Sequence, residues 1–149
     1  MQLIKDDLFR TKEDILIHGC NCFNQWGAGV ARNMRGMYPE AWKKDQQTLW
    51  GNKNKLGSFT FWSGKHYYYD QDIIVINLYS QYKYGHTEVY ADYDAIRKGL
   101  TAIEFTFRGK TFAMPKIGCG LAHGDWEIVS RIIEEVFKDY EDKVKVYYL

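Results

Sequence analysis

The stretch "ILIHGCNCFNQWGAGVARNM", residues 15–34, opens as a strand and closes as a helix. Ile15, Leu16 and Ile17 form an apolar run that ends at His18. Two cysteines, Cys20 and Cys22, and two asparagines, Asn21 and Asn24, follow. A small-residue turn, Gly27-Ala28-Gly29, then leads to Val30, Met34 and Met37 at helical spacing. A buried strand that empties into small and polar groups before a helix reads as one unit of an α/β sheet. Ligands of such sheets bind beyond the carboxyl ends of the strands.

A second segment repeats this logic. Strand "TFAMP" (111–115) runs into loop "KIGCGLAHG" (116–124) and then into helix "DWEIV" (125–129). Glycines in such loops let the backbone approach a ligand, and helix N-termini direct N–H groups toward it. Two loops of this kind on one sheet edge suit the two sides of a diphosphate. Neither matches a named fingerprint: "GAG" lacks the third glycine of a dinucleotide motif, and no lysine-serine pair marks a P-loop.

The rest of the chain fits the same frame. "MQLIK" (1–5) is a short opening strand, and Pro39 suits the first turn of helix "PEAWKKDQQTLW" (39–50). "GSFTFWSGKHYYYDQDIIVINLYS" (57–80) reads as a meander of short strands, broken at Ser63-Gly64 and at Asp70-Gln71-Asp72. Its "IIVINLY" is apolar enough for a strand covered on both faces. Ile96, Leu100, Ile103 and Phe107 share one face of a helix over 90–107. Val129, Ile132, Ile133, Val136 and Phe137 line the last helix, with Asp125 as its N-cap. "KVKVYYL" closes the sheet. Covered strands alternating with helices predict a three-layer α/β/α sandwich, and the meander makes its central sheet mixed.

At 149 residues, one domain is expected. Lys and Arg total 20 against 19 acids, so an extended nucleic-acid surface is not expected. The aromatic fraction of 17% fits core filling first and base stacking second. Three cysteines, Cys20, Cys22 and Cys119, and no leader pattern predict a reduced, cytoplasmic protein. No apolar run is long enough for a membrane span.

Several strings together resemble the macrodomain family. They are "DDLF" (6–9), "ILIHGCNC" with "WGAGVA", "NLYSQ" (77–81), "MPKIGCGLAHGDW" (114–126) and the terminal "VYYL". The likeness is greatest to small stand-alone members of the ADP-ribose 1″-phosphate phosphatase type and to the related ADP-ribosyl-glutamate glycohydrolase branch. It implies a crescent cleft for ADP-ribose. Asp7 would accept from the adenine amino group, with Asp6 and Leu8 beside it. Gly19, Cys20 and Asn21 would line the distal ribose. Trp26, Gly27, Ala28, Gly29, Val30 and Ala31 would form the first diphosphate loop. Pro115, Lys116, Ile117, Gly118, Cys119, Gly120 and Leu121 would form the second. Structural alternatives stay open: Asp7 as a turn residue, Asn21 as a backbone partner only.

The favoured reaction is hydrolysis of ADP-ribose 1″-phosphate, which needs charge stabilisation and an oriented nucleophile. His18 is the first candidate for general acid or phosphate contact, or else a structural histidine. His123 and Asp125 form a second pair, with a helix cap as the alternative for Asp125 and a solvated loop position for His123. Asn21 joins His18 and Asp125 as a catalytic candidate. The glycohydrolase branch uses a lysine after the "NLYS" strand and an acid after "GCGL". Gln81 and Ala122 stand at those places, and Lys83 lies two residues away. A reader that binds ADP-ribose or ADP-ribosylated macromolecules without turnover is the non-enzymatic alternative. No cofactor is required. A metal is not expected, because Cys20-x-Cys22 with His18 and Cys119 departs from zinc-ligand spacing. The helix-side setting of Cys119 favours a lowered pKa, while small size is the simpler reason for it.

Overall fold

The computed structural model describes residues 1–85 and 87–149. Among the described residues six strands are present: β1 (Gln2–Lys5), β2 (Ile15–Cys20), β3 (Phe59–Lys65), β4 (Asp72–Tyr79), β5 (Phe112–Pro115) and β6 (Val144–Tyr148). Four helices join them: α1 (Gly29–Met37), α2 (Pro39–Gln46), α3 (Tyr93–Thr106) and α4 (Trp126–Val136). The sheet order is β1-β6-β5-β2-β4-β3. All neighbours pair in parallel except β3, which runs antiparallel to β4 and makes the sheet mixed.

Strand alternation sorts the core into two layers. Ile15, Ile17, Ile76, Leu78, Met114 and Val146 face α3 and α4, where Ile96, Leu100, Ile103, Val129, Ile132 and Ile133 meet them. Leu16, Val75 and Ala113 face the other way, onto Met34, Tyr38 and Ala41 of the α1–α2 side. Each fully buried aliphatic side chain of this kind contributes about 2 kcal/mol. The result is the expected three-layer sandwich. Among the described residues no helix is long and apolar enough to cross a membrane.

Two local expectations are corrected. Ser63-Gly64 does not break the meander but lies inside β3, opposite Ile74 and Ile73. A side chain at Gly64 would run into the Trp62 ring, so this glycine makes room rather than a turn. Helix α2 stops at Gln46 rather than running to Trp50. The Thr48 backbone N–H and hydroxyl both donate to the Asp45 carbonyl and close its last turn.

Because five strands are parallel, the segments after β1, β2, β4, β5 and β6 emerge at one edge. That edge holds the two loops singled out by the sequence.

Candidate functional site

The loop after β2 is built from its own polar side chains. Asn21 is 8% exposed. Its amide donates to the Gln25 carbonyl at 2.8 Å, and its Oδ1 accepts from Phe23 N at 2.9 Å and Gln25 N at 3.3 Å. One amide hydrogen remains for an outside partner. Gly27 and Gly29 have open space where a Cβ would stand, and Gly29 holds φ +61. Ala28 caps α1 without a side-chain hydrogen bond. The first turn of α1, with Val30 and Ala31, therefore keeps N–H groups that no cap side chain covers, as an anion-facing helix end does.

This loop is braced from below by residues the sequence reading missed. Asn24, at φ +55, receives Lys55 Nζ on its Oδ1 at 2.7 Å and donates to the Thr48 carbonyl at 3.3 Å. Lys55 also donates to Thr48 Oγ1 at 3.0 Å, and Gln46 donates to the Asn24 carbonyl. Deeper still, the Tyr79 hydroxyl donates to the fully buried Asp45 at 2.8 Å. Burial raises the Asp45 pKa, opposed by Tyr79 and by the Lys55 charge. Burial lowers that of Lys55, opposed chiefly by Asp45. The indole N–H of the buried Trp26, with no other partner among the described residues, lies toward Asp45 and favours its ionised form. Trp26 is thus the floor of the loop rather than its surface.

His18 is not at the ligand surface. It alternates with Ile17 and so points with Leu16 and Cys20 into the α1–α2 layer, where it is fully buried. Its Nε2–H donates to Asn77 Oδ1 at 2.7 Å, since the Asn77 amide is engaged with the Ala41 carbonyl and Thr60 Oγ1. Its ring meets Trp26 edge to face at 4.7 Å. Burial lowers its pKa to about 4, leaving a neutral, sealed imidazole. The geometry is that of a structural histidine supporting the loop, and it corrects the general-acid expectation.

The loop after β5 is packed more tightly. Gly118 holds φ +73, with the Ala91 and Ile96 side chains beside it. A Cβ on Gly124 would stand 2.5 Å from the Gly118 carbonyl oxygen. Gly120 and Leu121 are exposed at the tip, Ala122 is buried, and His123 turns the chain back at φ +57. Cys119 is half-buried and its thiol donates to the Ile117 carbonyl. Burial, with the Asp125 charge, pushes its pKa up to about 11, which removes the lowered pKa weighed for it beside small size. Asp125 accepts from Glu127 N at 2.9 Å, which is the N-cap of α4. Lys116 lies over the rings of Tyr148 at 4.8 Å and Trp126 at 5.2 Å.

Three further pieces complete the edge. Asp7 accepts from Phe9 N at 3.0 Å and caps a 3₁₀ turn over Leu8–Arg10, beside Asp6 and the buried Leu8. Gly19 is pressed between Ile117 and Ser80, whose buried hydroxyl has no hydrogen-bond partner among the described residues. After β4, Tyr82, Lys83, Glu88 and Tyr90 line an open cleft of about 520 Å³ together with residues 91–94. Ala91 ties this cleft to the second loop through contacts with Gly118 and Gly124. Among the described residues, no three His, Cys, Asp or Glu gather as a metal site.

The Macro domain model matches residues 17–133, so the chain belongs to the macrodomain family. A 17.5 kDa protein of Enterobacteria phage T4 is 30% identical over 88% of this chain and 82% of its own length. The ADP-ribose glycohydrolase OARD1 of Bos taurus is 31% identical, over 98% of this chain and 90% of that protein. An ADP-ribose 1″-phosphate phosphatase of Debaryomyces hansenii is 26% identical, over 91% and 93%. Among solved structures, a Bacteroides thetaiotaomicron protein superposes with TM-score 0.80 at 25% identity, over 100% of this chain and 99% of that one. The Mycobacterium tuberculosis DarG macrodomain superposes with TM-score 0.78 at 19% identity, covering 99% and 98%.

Proposed function

We propose that the carboxyl edge of the sheet binds ADP-ribose and that the protein hydrolyses ADP-ribose 1″-phosphate to ADP-ribose and phosphate. The observation that carries this reading is the loop after β2, with open glycines leading into a helix end that no side chain caps. The diphosphate takes N–H groups from this loop, and the exposed Gly120-Leu121 tip closes from the other side. Asp7 accepts from the adenine amine, and the remaining amide hydrogen of Asn21 reaches a ribose hydroxyl.

Water attacks phosphorus, the bond from phosphorus to the ribose 1″ oxygen breaks, and that oxygen takes a proton. With His18 sealed and Asp125 capping a helix, positioning and charge stabilisation by loop N–H groups and Lys116 carry the catalysis. Protons pass through solvent and substrate hydroxyls. Relatives named as phosphatases support this choice. So does the occurrence of Gln81 and Ala122 where the glycohydrolase branch has a lysine and an acid.

A second reading, release of ADP-ribose from a macromolecule, is favoured by the likeness to OARD1 along 98% of the chain. The open cleft after β4 also leaves room beside the distal ribose. Phosphate release from ADP-ribose 1″-phosphate, run against ADP-ribosylated protein and oligonucleotide, separates the readings. Release from the small substrate alone supports the first. Free ADP-ribose from a conjugate alone supports the second. Tight binding with neither product makes the protein a reader.

A further inference from the structure

Ser80 is fully buried, and its hydroxyl has no hydrogen-bond partner among the described residues. The other buried side-chain atom in that position, the Trp26 indole nitrogen, lies toward Asp45. The Ser80 hydroxyl instead faces a glycine, Gly19. A buried hydroxyl without a partner costs stability that an alanine methyl does not, so packing alone does not favour serine here.

The backbone of Ser80 is fully engaged. Its N–H donates to the Cys20 carbonyl at 3.1 Å, and its carbonyl accepts from Asp92 N at 2.9 Å. These bonds tie it to the end of β2 on one side and to Asp92, a residue of the cleft after β4, on the other.

The hydroxyl stands in the room that the missing side chain of Gly19 leaves. A Cβ on Gly19 would lie 2.6 Å from Ser80 Oγ. Gly19 belongs to β2 and holds no positive φ, so the close approach of Ser80 is what calls for glycine there. The other neighbour of that point is the Ile117 Cγ2 methyl at 3.3 Å, from the second loop. Ser80 Oγ therefore sits where the roots of both loops meet. It lies past the open glycines assigned to the diphosphate and beside the strand end that leads to Asn21, whose spare amide hydrogen is assigned to a ribose hydroxyl.

We infer that Ser80 is a specificity-determining residue of the cleft: its hydroxyl bonds a hydroxyl oxygen of the distal ribose and so separates ADP-ribose from ADP. The inference rests on the ADP-ribose reading of the cleft and deepens it. The contact forms on binding, as the Ile117 methyl gives way, and the ligand then supplies the hydrogen bond that the free protein lacks. A site built to pair a substrate hydroxyl rejects an analogue without it more strongly than an apolar contact does.

The test is calorimetric titration of ADP-ribose and of ADP into the wild type and Ser80→Ala, with thermal unfolding of each protein. The wild type should prefer ADP-ribose. Ser80→Ala should weaken ADP-ribose about tenfold or more, leave ADP unchanged, and unfold at the same or a higher temperature. Ser80→Cys, similar in shape but a poor donor, should follow it. Unchanged ADP-ribose affinity in both variants overturns the inference. Equal weakening of the two ligands also overturns it, because Ser80 would then only support the loops. So does a lower unfolding temperature in both variants, which would mean that the hydroxyl is already partnered. Absence of ADP-ribose binding by the wild type overturns the reading of the cleft instead, so the two failures are distinguishable.

Discussion

The loops after β2 and β5 look alike in sequence, yet Gly27 and Gly29 of the first do the opposite of Gly118 and Gly124 of the second. In the first, Gly27 and Gly29 border open space and lead to a helix whose cap residue makes no side-chain hydrogen bond. In the second, Gly118 and Gly124 are pressed against Ala91 and against each other, and Asp125 caps the helix. Openness in one loop leaves donors for a ligand. Closeness in the other holds the loop, the segment after β4 and helix α4 in one unit. A glycine-rich string after a buried strand therefore does not say which service it performs; the neighbour of the missing Cβ does.

The largest effect should come from the packed loop. Gly124→Val drives a branched side chain into the Gly118 carbonyl and should cost about 3 kcal/mol or more in urea unfolding. A loss under about 0.5 kcal/mol would show that this loop has slack.

Beneath the open loop, His18 makes stability depend on pH. Its folded pKa of about 4 lies below its ordinary value of 6.5, so the folded state prefers the neutral ring. Its contribution is whole above pH 6.5 and is lost as pH falls to 4, by up to about 3 kcal/mol. Asp45, whose pKa is raised, works in the opposite direction. The comparison of wild type with His18→Gln isolates the histidine: the variant should lose less stability between pH 7 and pH 4. Equal losses would mean that His18 is open to protons after all.

Lys55→Met removes one hydrogen bond to Asn24 and one to Thr48 beside it, and should cost about 2 kcal/mol. ADP-ribose affinity should fall with it, because the loop loses its support; Lys55→Arg should restore part of both. An unchanged affinity in Lys55→Met would detach the brace from the site.

Asp125→Ala removes a helix cap and should cost about 1 kcal/mol. Asp125→Asn keeps the cap and should leave the hydrolytic rate unchanged. A collapsed rate in Asp125→Asn would return this carboxylate to catalysis.

The architecture was legible because periodicity carries it. Ile15 to Ile17, Phe112 to Met114 and the stripe Ile96, Leu100, Ile103 announce buried strands and a one-sided helix without reference to partners. The site was legible only as two loops. His18 looked like the last polar residue before a ligand, whereas strand parity with Leu16 sends it into the core. Its partner Asn77 is the one polar residue in "IIVINLY", a signal that was available. The Lys55–Asn24 brace joins residues 31 apart in sequence, and Asp45 sits in a helix whose pattern reads as solvated. Contacts of that range depend on the packing of α2 against the sheet, which no local pattern contains.

The most direct test of the central claim is calorimetric titration of ADP-ribose into the wild-type protein and Gly27→Val, with thermal unfolding measured on both. Gly27 has no positive φ and no neighbour within 4 Å of a Cβ, so the fold should tolerate valine. The account predicts that the wild type binds, and that Gly27→Val unfolds at nearly the same temperature but loses most of its affinity. Equal binding by the two proteins, or none by the wild type, would contradict the claim that the open loop grips the ligand.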